Sequence, residues 1–401
     1  MKCIETICEK EYCTGCGACI YVCPKKCIRY EFDELDNIYP KIDGTKCVGC
    51  KKCRQVCPHL NQIKKNDIRK CYAAWSNNSN IRNESASGGI ASELYYWAMK
   101  NKYKVIGTVW SEKKVVFKVA EKYEDIDEFR NSKYVFSNIG DTFKIVCELL
   151  KNKERVLFIG LPCQVAALSN FIKSNNMNTK QLLLVDLVCH GVVPNQYLIS
   201  HIHSIEKKKG RHADNINFRS PIYHTNKFFF TLQDKNGIFY KKNPKSNDCY
   251  QIAYHKALAY RENCYYCEYA CPKRCGDISL CDFTSVGKVE MFDYTNENIS
   301  CVMINTDKGF EIWNEILNTG KVWAVKRPTE EITNYERQLK RPSRKHKNRD
   351  KFIKKYKETR NFTKAAQFAL RLDIIWNLAN YILPLRFFRN IKRKLVIDGE
   401  K

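Results

Sequence analysis

Cys13-Thr14-Gly15-Cys16-Gly17-Ala18-Cys19-Ile20-Tyr21-Val22-Cys23-Pro24 is the stretch on which the reading of this chain turns. It returns as Cys47-Val48-Gly49-Cys50-Lys51-Lys52-Cys53-Arg54-Gln55-Val56-Cys57-Pro58. Both copies read C-x2-C-x2-C-x3-C-P. In the bacterial ferredoxin run of this spacing, three close thiolates hold one 4Fe-4S cluster and the fourth ligates the other. The spacing therefore groups Cys13, Cys16 and Cys19 with Cys57, and Cys47, Cys50 and Cys53 with Cys23. Zinc is the competing metal, but its ligands usually come as separated pairs. Disulfides would need an oxidising compartment, and the start, MKCIETICEKEYC, has no apolar run of signal-peptide length. The 22 cysteines are therefore expected to serve metal chemistry in a reducing cytoplasm.

Working outward, the two runs define an expected ferredoxin-like domain over residues 1–62, its halves offset by 34 residues as in an internal duplication. Cys3, Cys8 and Cys27 fall outside the ligand pattern and receive no role beyond that of small apolar fillers. From Lys70 the composition changes to apolar runs alternating with helical patterns, and residues 70–328 are expected to form a larger mixed α/β core. Strands are expected at KCYAAW, KVIGTVW, KVVFKVA, RVLFIG, LLLVDL, ISCVMINT and KVWAVKR, with a hairpin at Asn236-Gly237. The fold class is thus α+β: a small ferredoxin-like domain, a larger core, and a basic helical tail over 329–401.

Three features of the core carry chemistry. Ser87, Gly88 and Gly89 precede a helix, where backbone N–H groups can meet an anion, although Ser and Gly also simply cap helices. Cys163 follows RVLFIG at a strand-to-helix turn, and Cys189 with His190 ends the apolar run LLLVDLV, so two cysteines stand at strand ends. Cys264 and Cys267 form a C-x2-C step compatible with zinc or iron-sulfur.

The net charge is +26, and residues 321–401 hold 23 basic against 8 acidic side chains. Such a balance favours anionic partners of any kind. The tail contains no recognisable base-reading motif, so nucleic acid is not an expected partner. Residues 364–395 alternate apolar and basic groups, with Trp376, Tyr381, Phe387 and Phe388 followed by Arg386, Arg389, Lys392, Arg393 and Lys394. A helix of that composition either packs on its own core or lies on the inner membrane face.

The motifs ESASGGI, SKYVFSNIGDTFK, VLFIGLPCQVAAL, DLVCHGVVP, NFRS, NCYYC and GDISLCDF follow the ferredoxin pair in a family-like order. In these motifs the chain resembles the family of coenzyme F420 hydrogenase/dehydrogenase beta subunits, in its bacterial form with an N-terminal double-cluster domain. The resemblance implies FAD, with Ser87, Gly88, Gly89, Lys133, Tyr134 and Ser137 near the flavin or substrate. It also implies a third 4Fe-4S cluster on Cys163, Cys189, Cys264 and Cys267. Where the family has D-F-W-G, this chain has Asp282-Phe283-Thr284-Ser285, and Cys271, Cys275 and Cys281 are additional.

The expected function is that of an iron-sulfur flavoprotein oxidoreductase. One-electron entry at the ferredoxin domain would be converted to hydride delivery at FAD, with His190 as a candidate proton donor. Expected partners are a redox protein or ferredoxin and a small-molecule or lipid-linked substrate, as in surface polysaccharide biosynthesis. The alternative is a non-catalytic electron-transfer subunit of a larger redox complex.

Overall fold

The computed structural model describes residues 5–294 and 298–382. Its first sixty residues wind the two cysteine runs around short helices, Ala18–Tyr21 and Lys52–Gln55. Each helix follows a residue in the left-handed region, Gly17 and Lys51, which turns the chain sharply enough to aim successive thiols inward. Two strands, β1 (Ile28–Phe32) and β2 (Ile38–Ile42), form an antiparallel hairpin between the runs.

The core is built on twelve further strands: β3 (Lys70–Ser76), β4 (Tyr103–Ser111), β5 (Lys114–Ala120), β6 (Ser137–Asn138), β7 (Arg155–Gly160), β8 (Leu182–Leu187), β9 (Asn215–Asn217), β10 (Phe230–Asp234), β11 (Gly237–Lys242), β12 (Ile278–Asp282), β13 (Ser300–Ile304) and β14 (Val322–Arg327). Nine of them make one mixed sheet in the order β14-β3-β13-β12-β8-β7-β4-β5-β6, and β11-β10-β9 make a small second sheet. The centre of the large sheet, β12-β8-β7-β4, is parallel. That explains why RVLFIG reads as a continuous apolar run, since Val156 through Ile159 are buried by layers on both faces. The Pro162–Ser174 helix makes the crossover from β7 to β8. The expected hairpin at Asn236-Gly237 is the β10–β11 connection, with Gly237 at φ 98°.

The expected boundary at 329 does not separate a tail. The Arg349–Thr359 and Phe362–Ala369 helices bury Phe352, Tyr356, Phe362, Ala366 and Ala369 in the same cluster as Tyr197 and Tyr250 of the core. Their apolar residues recur at helical spacing, so packing on the chain's own core satisfies them despite the surrounding charge. Only the Arg371–Ile382 helix departs from this pattern. Its Asp373 pairs with Lys256 and its Asn377 Nδ2 donates to the Pro244 carbonyl at 3.0 Å, while Leu372, Ile375 and Trp376 are exposed. Phe387, Phe388 and the basic run from Arg386 to Lys394 lie outside the described residues, as does the side chain of Tyr381. Among the described residues no helix is long and apolar enough to cross a membrane.

Candidate metal centres

The ferredoxin-type thiols gather into two sets. One space is lined by Cys13, Cys16, Cys19 and Cys57, the other by Cys23, Cys47, Cys50 and Cys53. Each set takes three members from one run and the fourth from the other, the crossed grouping that the spacing requires. Among the described residues no three Cys, His, Asp or Glu side chains converge as they would on a single ion. The thiols line two separate spaces. Two cysteines outside the pattern also line these spaces, Cys8 in the first and Cys27 in the second. Sequence reasoning missed both, because the spacing rule counts only the repeated positions.

A third set forms at the carboxyl edge of the parallel strands, where open α/β sheets place their sites. Gly160 of β7 lies opposite Asp186 of β8. The chain segments leaving those two strands therefore carry Cys163 and Cys189 side by side. Pro162 opens the helix after Leu161, and the Gln164 side chain accepts from the Leu161 N–H at 2.9 Å, fixing the turn that presents Cys163. Cys189 is held by a turn at Gly191, whose φ is 141° and where an added Cβ would stand 2.4 Å from the Tyr260 ring. Cys264 and Cys267 arrive on the short 3₁₀ segment Glu262–Tyr266 and the residue after it. The Cys264 sulfur accepts from the Val192 N–H at 3.4 Å. All four line one cavity together with Cys16 of the first ferredoxin set.

The donor chemistry of this third set fits a metal cluster. Burial is the leading cause that raises the thiol pKa of Cys163, Cys189, Cys264 and Cys267, with Cys264 pushed up to about 12 and neighbouring thiols adding to it. Four adjacent buried thiolates are unstable unless cations bind them, and bound metal removes the protons outright. Of the additional cysteines, Cys275 is buried, its N–H donating to Asp186 Oδ2 at 2.9 Å. Cys271 lies 3.8 Å from Lys65 Nζ, and Cys281 pairs with Cys301 across β12 and β13. None of the three lines the cavity of the third set.

Two buried cations tie this centre together. Arg261, 1% exposed, donates from Nη2 to the Ile38 carbonyl at 3.1 Å and the Cys13 carbonyl at 3.4 Å, joining the ferredoxin domain to the Cys264 loop. Arg274 pairs with Asp186 at 3.3 Å, both almost fully buried, and locks the loop after Cys267 onto β8. Neither was singled out from the sequence, where an arginine near a cysteine carries no distinguishing mark.

Beside Cys189 lies a cluster of aromatic and cationic side chains. The Tyr134 ring stacks on Tyr254 at 4.3 Å and meets His255 edge-on at 5.7 Å. Arg219, held by Asp282 at 2.7 Å, lies over the Phe228 ring at 4.5 Å. Crowding lowers the pKa of His255 to about 4, with His190 and Arg219 adding to the effect. Burial also lowers His190, against the opposing pull of Glu336 and Asp282. Both residues still reach solvent.

The residues expected near a flavin are dispersed. Tyr134 is in this cluster. Lys133 Nζ donates to the carbonyls of Phe129, Arg130 and Asn131 at 3.1, 2.9 and 3.4 Å, occupying its three N–H groups. Ser137 Oγ accepts from Gln164 Nε2 at 2.9 Å and so supports the Cys163 turn. Ser87 Oγ donates to the Ile299 carbonyl at 2.7 Å, and the Gly88 N–H donates to Ser300 Oγ at 2.9 Å. A Cβ at Gly88 would stand 2.4 Å from the Ala74 carbonyl, so the close backbone approach here is to β3 and β13. Gly89 opens the Ile90–Lys100 helix at φ 86°.

Residues 153–330 match the family described as the C terminus of the beta subunit of coenzyme F420 hydrogenase/dehydrogenase, and residues 12–61 match a 4Fe-4S dicluster domain. The F(420)H(2) dehydrogenase of Methanosarcina mazei has a subunit that is 24% identical over 200 residues, 46% of this chain and 55% of that protein. The chain thus spans about half the length of this curated relative. A structure of the F420-reducing [NiFe] hydrogenase complex from Methanosarcina barkeri is similar at 20% identity and a TM-score of 0.43, over 75% of this chain and 91% of that one.

Proposed function

We propose that this chain, whose residues 153–330 match the C-terminal family of coenzyme F420 hydrogenase/dehydrogenase beta subunits and whose residues 12–61 match a 4Fe-4S dicluster domain, is an iron-sulfur electron-transfer subunit serving an organic two-electron acceptor. The observation that carries this reading is the contiguity of the sites. Cys16 belongs to the first ferredoxin set and also lines the cavity of Cys163, Cys189, Cys264 and Cys267, and His190 lines that same cavity. Bound 4Fe-4S clusters would supply one-electron chemistry at each set. The chain's own residues hold the thiols in place and set a buried cation, Arg261, between the first set and the third. Named in the family's description and in that of the Methanosarcina mazei relative, F420 is the first acceptor to test. The reconstituted protein is reduced anaerobically and mixed with oxidised F420. Rapid return of the oxidised-cluster absorbance supports the reading, and indifference to both F420 and FAD overturns it.

A flavin against the aromatic cluster beside Cys189 is the second reading, favoured by Tyr134, Arg219 and His255, which offer ring stacking and a cation to a planar anionic cofactor. His190, held neutral by its surroundings, would then donate a hydrogen bond to the bound ring. Arg219→Ala tests this better than changes at Gly88 or Gly89, which would distort β3 directly. The exposed Leu372, Ile375 and Trp376 favour a peripheral contact with anionic lipid, which would suit a lipid-linked substrate. Flotation with anionic vesicles, with and without residues 371–401, tests that contact.

A further inference from the structure

We propose that each ferredoxin-type site carries a fifth thiol, Cys8 at the first and Cys27 at the second, able to take the place of the ligand that crosses over from the other run. This rests on the assignment of the eight spaced cysteines as cluster ligands. The Cys27 sulfur lies 3.4 Å from the Cys23 sulfur and also contacts Cys47. Cys8 contacts Cys13 and Cys57. The pattern is the same at both sites: the extra thiol touches the first member of the tight run, Cys13 or Cys47, and the crossing member, Cys57 or Cys23.

Inheritance does not explain the match. The two halves are offset by 34 residues, so a duplicated Cys27 would have its counterpart at position 61 and a duplicated Cys8 at position 42. Those positions hold Asn61 and Ile42. One place in each site has therefore been filled with sulfur from unrelated points of the chain. An apolar filler would not demand this, since Ile42 shows that a branched hydrocarbon is tolerated in the same neighbourhood.

The backbone also holds Cys27 firmly. Lys26 adopts φ 48° and its N–H donates to the Cys23 carbonyl at 3.1 Å, closing a tight turn that brings Cys27 back beside Cys23. The Asp43 N–H then donates to the Cys27 carbonyl at 2.8 Å, anchoring it at the foot of the β1–β2 hairpin. Cys27 is 6% exposed and competes with no solvent for its position. In the exchange, the bond from iron to the Cys23 sulfur breaks and one to the Cys27 sulfur forms. The Cys27 proton passes to the released thiolate, or to solvent where Cys23 has been removed. No electrons change hands, so no oxidant is required.

The test compares the full-length wild type with Cys23→Ala, Cys27→Ala and the double variant after anaerobic reconstitution with iron and sulfide. Iron and sulfide content and the EPR spectrum of the dithionite-reduced protein are the readouts. Both single variants are expected to keep the wild-type iron content, Cys23→Ala with an altered EPR line shape. The double variant should lose about four irons, one cluster's worth. Loss of those irons from Cys23→Ala alone, as complete as in the double variant, overturns the proposal for Cys27. Cys57→Ala against Cys57→Ala/Cys8→Ala repeats the comparison at the other site, independently of any folding defect from the first change. If the wild type itself takes up no iron, it is the underlying ligand assignment that fails.

Discussion

Removing the Asp186 carboxylate should unfasten the third thiol set. Arg274 Nη2 and Asp186 Oδ2 are 3.3 Å apart, with side chains 1% and 0% exposed. At an effective dielectric of about 20, two unit charges at that distance attract by about 5 kcal/mol. In Asp186→Ala the guanidinium keeps Ser279 Oγ at 3.2 Å and the Cys271 and Leu187 carbonyls at 3.4 and 3.5 Å, so part of its solvation survives. The Cys275 N–H loses its acceptor at the same time. A net cost of about 3–5 kcal/mol follows, the usual range for stranding one buried charge. Arg274→Met/Asp186→Leu removes both charges and leaves the Cys275 N–H and the Ser279 O–H without their acceptor, at about 1–3 kcal/mol each, losses that the single variant shares on top of its stranded charge. The double variant should therefore be more stable than the single one. Anaerobic urea unfolding followed by circular dichroism measures the order, and iron content reports whether the Cys264–Cys267 loop still reaches Cys189. A single variant within about 1 kcal/mol of wild type, or a double variant less stable than the single, would refute the reasoning.

Arg261→Met removes a buried cation from beside Cys13 and Cys264, so the first ferredoxin site should become harder to reduce, by on the order of 60 mV for about 1.4 kcal/mol of lost interaction. EPR-monitored redox titration reads the shift, and a rise in potential contradicts it. Gly191→Ala should drive a Cβ into the Tyr260 ring and cost about four irons, with the ferredoxin-type signals retained. His201 is buried between Thr363, at 3.1 Å, and Asp248, at 3.2 Å. Burial opposes its charge, but Cys249 and Asp248 outweigh burial and raise its pKa to about 10. The folded state then holds a proton that the unfolded state releases above about pH 6.5, so this contribution is complete below that pH and fades as pH rises toward 10. Thermal unfolding from pH 6 to 9 should show this decline, flattened in Asp248→Asn.

The crossed grouping of the ferredoxin-type cysteines was legible because their repeated spacing sets it, and the parallel strands because burial on both faces writes continuous apolar runs such as Val156–Ile159. Strand β12 was not read as a strand, although it sits between β8 and β13, because Ile278–Asp282 is short and mixes Ser, Cys and Asp with apolar residues. Its polarity is absorbed by tertiary contacts, as where Ser279 Oγ bonds to Asp186. The expected tail failed as a unit because charge density hid the buried faces of the two helices before Arg371. Cys163, Cys189, Cys264 and Cys267 share no spacing rule, and only the family resemblance joined them before the sheet edge brought them together. Arg261, Arg274, Cys8 and Cys27 depend wholly on three-dimensional neighbours, which no local pattern encodes.

Iron and acid-labile sulfide per chain, measured after anaerobic reconstitution of the full-length protein, test the central claim most directly. Three sets of four thiols predict about twelve irons with matching sulfide. About eight would remove the Cys163, Cys189, Cys264 and Cys267 centre from the account. Zinc in place of iron, or no iron, would contradict the account as a whole.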